Sequence, residues 1–277
     1  MEFTVLKVLG SLSMVLGLAG CAETSNTINE DFDYGVFLSL EGRKAVEASE
    51  GFEIAVIDAQ NISAIDIAEM KARDQEVYSY LNIGSLETFR SYYKEYQHLA
   101  LKSYDNWEEE YWVDAGNEEW QKFVAGTLAQ ELLEKGIDGF WIDNTDVYGQ
   151  FADEEIYDGV ATILKTLMSY EKPVVINGGD QFVLTYLEQN GQVDDILTGI
   201  NQETVFSSIN FDEKTFTKQS TNDQHYYSDY LSAVDEEGKD IYLLEYTTDD
   251  RLVQKIQKYI RKRGWKGYIS DSIELDG

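Results

Sequence analysis

The chain has 277 residues, with 22 Lys plus Arg against 52 Asp plus Glu for a net charge of −30, and it is 43% apolar and 13% aromatic. The apolar share excludes a disordered or collagen-like chain, and the length suits one (β/α)8 barrel of about 250 residues or two smaller domains. The acid excess argues against nucleic acid, whose phosphates need Lys and Arg to displace counterions; it serves either to keep an exported protein in solution or to draw a polycation.

The first element is an apolar run from Val8 to Leu18, followed by Leu18-Ala19-Gly20-Cys21. The run is right for a signal-peptide core and too short to span a bilayer. The tetrapeptide resembles the lipobox of bacterial lipoproteins, with the only cysteine of the chain in the lipidated place. The expectation is a leader over residues 1–20, lipidation of Cys21, a polar tether over residues 21–33 and anchoring at the outer face of a bacterial cell membrane. A lone cysteine also excludes a disulfide within the chain.

Residues 34–277 carry no solenoid repeat and read as one domain. Short apolar runs predict strands at Tyr34–Leu38, Glu53–Ile57, Val77–Leu81, Ile137–Ile142, Pro173–Ile176, Leu197–Ile200, Ile241–Leu244 and Gly267–Ile269. Period-3.6 patterns predict helices between them: Asn117 to Gly136, with Asn117 as N-cap; a run through Ile156, Val160, Ile163, Leu164 and Leu167; and a run through Leu252 to Ile260, closed by Arg261–Arg263 and Gly264. Strand and helix in alternation, eight times over, predict a single (β/α)8 TIM barrel.

Polar residues follow nearly every strand: Asp58, Asn82, Asp143 and Asn144, Asn177, Asn201 and Glu203, Glu245, and Ser270 with Asp271. Asp and Asn there can simply start turns and cap helices. In a closed parallel barrel, however, these ends converge on one face and ring a cleft. Sugar hydrolysis needs one carboxyl to protonate the leaving oxygen and another as nucleophile or base. The acids available are Asp58, Asp143, Asp146, Glu203, Glu245 and Asp271. Tyr80, Trp141, Tyr148 and Tyr246 are candidate sugar-stacking rings, or core.

The runs GFWIDNTDVYG (Gly139 to Gly149), YLNIGSLETFRSYY (Tyr80 to Tyr93), WVDAGNEEW (Trp112 to Trp120), VVINGG (Val174 to Gly179), NQE (Asn201 to Glu203) and LLEY (Leu243 to Tyr246) resemble the endo-α-1,4-polygalactosaminidase family of glycoside hydrolases. The resemblance implies a barrel that cleaves α-1,4-linked galactosamine or N-acetylgalactosamine polysaccharide, with catalytic carboxylates after strands four and six, here Asp143 and Glu203. Strands four and six flank strand five, so their ends can hold carboxyls about 5 to 10 Å apart. By analogy with barrel α-galactosidases, Asp143 is expected as nucleophile and Glu203 as acid/base, with retention at the anomeric carbon. Asp58, Tyr80, Glu87, Arg90, Asn144, Asn177 and Glu245 are expected in substrate binding or its support, although Arg90 could equally form an ordinary ion pair with Glu87. Ser85-Leu86 departs from the family run, where an acid commonly follows the glycine.

No cofactor or metal is expected. Asp143 to Glu155 lacks the glycine of a calcium loop, and two histidines, His98 and His225, are too few and ill-placed for a metal-dependent deacetylase. The partners expected are a polysaccharide, of cationic kind if deacetylated, and the membrane through Cys21. The alternative reading is a carbohydrate-binding surface lipoprotein on the same fold without turnover.

Overall fold

The computed structural model describes residues 33–105 and 107–277. The expected leader, Cys21 and nearly all of the tether lie outside the described residues. Eight parallel strands form the sheet: β1 Tyr34–Phe37, β2 Ile54–Ile57, β3 Glu76–Asn82, β4 Gly139–Asp143, β5 Val174–Asn177, β6 Gly199–Glu203, β7 Asp240–Tyr246 and β8 Lys266–Ser270. They pair in chain order, and β8 returns beside β1, so the sheet curls into the expected (β/α)8 barrel. Both faces of these strands are buried, which is why they read as continuous apolar runs rather than as alternating ones.

The helices cover the outside. Glu154–Met168 buries Ile156, Val160, Ile163, Leu164 and Leu167, and the Asp153 side chain accepts from Glu155 N at 2.8 Å at its start. Asp249 caps Asp250–Arg263 by accepting from Arg251 N at 2.8 Å and Leu252 N at 3.1 Å; Arg261–Arg263 meet the negative end of the dipole, and Gly264 turns out at φ 73°. The helix expected over Asn117 to Gly136 is interrupted. Its ends are α-helical, Glu118–Gln121 and Ala129–Glu134, but Lys122–Leu128 between them is a π-helix. Side-chain periodicity of 3.6 does not report that change of hydrogen bonding.

Two insertions were not foreseen. Between β3 and β4, Ser85–Glu87, Ala100–Ser103 and Glu110–Val113 make a small antiparallel sheet. After β6, Ser207–Asn210 pairs with Thr215–Lys218 in a hairpin. Both stand on the C-terminal side of the barrel, and their strands are short and half polar, so their apolar signal is weak. Among the described residues, no helix is long and apolar enough to cross a membrane.

The barrel interior is filled by large rings. Tyr34 lies 4.8 Å, ring to ring, from Tyr242, and Tyr80 lies 6.1 Å from Trp141. Asp143 follows Trp141 by two residues and Glu203 follows Asn201 by two, so each carboxylate points the same way as the inward residue beneath it. This aromatic layer is the floor on which the polar strand ends stand.

Candidate active site

Parallel register aligns the strand ends: Asn82 lies beside Asp143, and Asn177 beside Asn201. They open into a cavity of about 960 Å³ whose lining includes Asp58, Tyr80, Glu87, Arg90, Asp143, Asn144, Asn177 and Glu203. At its centre one amide joins two acids. Asn177 Nδ2 donates to Asp143 Oδ1 at 3.1 Å and to Glu203 Oε1 at 2.8 Å. Tyr80 OH donates to Asp143 Oδ2 at 3.1 Å, and Tyr246 OH donates to Glu203 Oε2 at 2.7 Å. Among the described residues, neither carboxylate has a cation as partner.

The orientation of Asn177 is fixed from below. Trp141 Nε1 donates to Tyr34 OH at 2.9 Å, and Tyr34 OH donates to Asn201 Oδ1 at 3.1 Å. Asn201 Nδ2 then donates to Asn177 Oδ1 at 2.7 Å, which leaves the Asn177 NH2 group facing the two acids. An indole can only donate, so every bond in this line has one direction. Asn201 is fully buried.

Burial and, after it, the Glu203 charge push the Asp143 carboxyl up to about 6 against the lowering effect of the donors from Asn177 and Tyr80. Burial likewise raises Glu203, against its two donors. The two act as a coupled pair that holds a proton more tightly than free carboxyls do.

The backbone turns sharply at the residue after each acid. Asn144 has φ 63° and Thr204 has φ 56°. Asn tolerates that left-handed region, whereas a β-branched threonine there is strained, and such strain collects at functional sites. The Asn144 turn presses so closely on the preceding loop that a Cβ at Gly84 would lie 1.8 Å from the Asn144 carbonyl oxygen.

Glu245 explains how the Thr204 turn is held. Its carboxylate accepts from Phe206 N and Ser207 N, each at 2.9 Å, and from Ser207 Oγ at 2.6 Å. It is fully buried and not among the cavity's lining residues. Of the two places expected for Glu245, substrate binding or its support, the geometry is that of support: it clamps the chain that follows Glu203. Burial raises its pKa to about 7 despite three donors.

On the other side of the cavity, Arg90 joins two acids. Its guanidinium bonds Asp58 Oδ2 at 2.6 Å and Glu87 Oε2 at 2.5 Å, and all three side chains are buried. The ion pair with Glu87 and a place in the site turn out to be the same thing. Asn144 Nδ2 reaches Glu110 Oε1 at 2.8 Å and Ser85 Oγ at 3.0 Å.

Glu110 was not singled out for the site, whereas Asp146 stood among the candidate acids; both line the cavity. Burial raises each to about 7. Glu110 lies on the inserted sheet, where the Ser85 hydroxyl donates to it. Trp107 and Phe211, 43% and 37% exposed, also line the cavity and meet edge to face at 6.1 Å, one from each insertion. Of the sequence candidates for stacking, Tyr148 instead packs on Tyr157 and Phe182, and Asp271 is exposed outside the cavity. His98 and His225 are exposed and do not line it either. Among the described residues, no group of three or more His, Cys, Asp or Glu is arranged to hold a metal.

The family model of glycoside hydrolase family GH114 matches residues 19–276. This chain belongs to family GH114. A GH114 site on a (β/α)8 barrel is a site for glycoside hydrolysis, in keeping with its two unpaired carboxylates. An uncharacterised protein of Thermotoga maritima is 24% identical over 269 residues, covering 86% of this chain and 80% of that protein. The glycoside hydrolase domain of PelA from Pseudomonas aeruginosa superposes with a TM-score of 0.74 at 16% identity, over 88% of this chain and 96% of that one. Ega3 of Aspergillus fumigatus, solved in complex with galactosamine, superposes with a TM-score of 0.68 at 14% identity, over 94% and 97%. At these identities the two structures speak for the fold.

Proposed function

We propose that this GH114 protein cleaves α-1,4-linked galactosamine or N-acetylgalactosamine polysaccharide, with Asp143 and Glu203 as its catalytic pair and retention of anomeric configuration. The observation that carries the reading is the Asn177 amide between the two acids. One nitrogen 3.1 Å from Asp143 Oδ1 and 2.8 Å from Glu203 Oε1 leaves those oxygens less than about 6 Å apart. Retaining pairs stand about 5–5.5 Å apart, whereas inverting pairs leave about 6.5–9.5 Å for a water. The galactosamine bound to Ega3 supports the choice of sugar, and the acid-lined cleft supports an affinity for ammonium-bearing, deacetylated chains.

In the first half-reaction, Glu203 gives its proton to the glycosidic oxygen as that C–O bond breaks, and an Asp143 oxygen bonds the anomeric carbon from the opposite face. In the second, Glu203 takes a proton from water, the water oxygen bonds the same carbon, and the Asp143 ester bond breaks. Tyr80 and Asn177 hold the Asp143 charge; Tyr246 and Asn177 aim Glu203. The two buried charges repel each other, so the pair binds one proton tightly between them, and this division of roles has that proton on Glu203 when the sugar is bound.

The deciding experiment is NMR of the first product from a deacetylated galactosamine oligomer, with azide added to alanine variants. An α-anomeric first product is expected, with an α-azide from Glu203→Ala and a β-azide from Asp143→Ala. A β-anomeric hydrolysis product overturns retention, and azides of the opposite hands exchange the two roles. We further propose that Cys21 anchors the protein by lipid at the outer face of the cell membrane; a Cys21→Ala variant that stays in the membrane fraction overturns that.

A further inference from the structure

Phe89 is 62% exposed, so most of its phenyl ring forgoes the free energy of burial. The ring is nevertheless held. The Arg90 guanidinium lies 5.0 Å from its centroid, and that guanidinium is fixed in turn by Asp58 and Glu87. One face of the ring therefore rests on an immobilised cation, and the ring still presents most of its surface to solvent.

Phe89 stands where two hollows meet. With Asn61 and Arg90 it lines both the catalytic cavity and a second groove of about 770 Å³ on the barrel flank. The groove is walled by Tyr92, Tyr96 and Phe123, with Glu95 and Glu131 exposed at its rim. Phe123 belongs to the π-helical segment Lys122–Leu128, and π-turns recur at functional sites. Lys135, also in the groove, is bonded to the carbonyls of Ala59, Gln60 and Ile62 at 2.7, 3.0 and 3.2 Å, so its charge is turned toward the backbone. Aromatic walls with an acidic rim suit a hydroxylated, amine-bearing sugar: C–H faces lie on rings, and ammonium groups meet carboxylates.

We propose that Phe89 is a stacking platform for a pyranose of the substrate, at a remote subsite where the chain passes from the catalytic cleft into the flank groove. A ring already fixed by Arg90 loses little freedom when a sugar lies on it, which favours binding. The inference rests on the proposed galactosaminidase activity and adds to it that the enzyme grips its polymer beyond the cleft.

The test is kcat/KM for the whole protein on galactosamine oligomers of increasing length, for the wild type, Phe89→Ala and Phe89→Trp, with thermal melting to verify folding. Phe89→Ala is expected to lower kcat/KM on the longest oligomer about tenfold more than on the shortest one cut, through KM, and Phe89→Trp to restore it. A loss equal at all lengths, no loss at all, or no restoration by tryptophan overturns the platform while leaving the activity standing. A wild type that cuts none of the oligomers overturns both.

Discussion

Two corners of one cavity use carboxylates in opposite ways. Asp58 and Glu87 are buried against Arg90, so their charges are cancelled where they stand. Asp143 and Glu203 are held by neutral donors, among them Tyr80, Asn177 and Tyr246, so their charges are oriented without being cancelled. The difference teaches where proton chemistry can occur. Burial raises carboxyls in both corners, Glu87 included, but one paired with guanidinium is tied to a fixed counter-charge, whereas one held by an amide and a phenol has none and can gain or lose a proton as it reacts.

The sharpest way to break this contrast is to neutralise each corner. Asp143→Asn and Glu203→Gln are expected to lower kcat by about 10³-fold or more, while the melting temperature at pH 7 stays level or rises, since a charge disfavoured by burial has been removed. Arg90→Ala should do the reverse in kind: a loss of about 3–5 kcal/mol of stability in urea titration, because two buried carboxylates lose their shared cation. Loss of folding in Asp143→Asn, or wild-type stability in Arg90→Ala, would erase the distinction.

Asn177→Ala sharpens it. With the bridge gone, kcat should fall about 10²-fold from misplacement, and the acidic limb of the pH–rate profile should move to higher pH, because a donor that lowers the Asp143 pKa is lost. An unmoved limb would mean that the amide only fills space.

The smallest expected effect is on stability against pH. Glu110, Asp146 and Glu245 are raised to about 7 and Asp143 to about 6. A carboxyl whose folded pKa exceeds its unfolded value binds its proton more tightly when folded. Its contribution is full below the unfolded value, near 4, and is lost as pH climbs through 6 to 7. The melting temperature should therefore rise by a few degrees as pH falls from 8 to 5.5, and Asp146→Asn should flatten the slope. A melting temperature that falls over that range would contradict the burial of these acids.

Much of the barrel was legible because buried parallel strands announce themselves. Runs such as Val174–Ile176 and Ile54–Ile57 are apolar without alternation, and the polar residue that ends each marks the cleft face. Asp143 and Glu203 could be chosen only through a resemblance, since Glu245 also ends a barrel strand. Glu203 and Glu245 part company by one residue of register across β6 and β7: Leu244, not Glu245, is the register partner of Glu203, so the Glu245 side chain falls on the other face. A linear pattern does not carry that offset. Glu110 was illegible for a related reason, because it reaches the site on an inserted sheet held by long-range pairing with Ser85–Glu87. Arg90 was half legible: its spacing suggested Glu87, but nothing local suggested Asp58, 32 residues earlier.

The one-way line of hydrogen bonds from Trp141 through Tyr34 and Asn201 to Asn177 has a consequence for traffic. An indole N–H does not ionise in water, and carboxamides do not pass hydrogen ions along. Along this line the floor of the cavity is thus an insulator: it fixes the direction of the Asn177 amide without carrying hydrogen ions to or from the two acids above it.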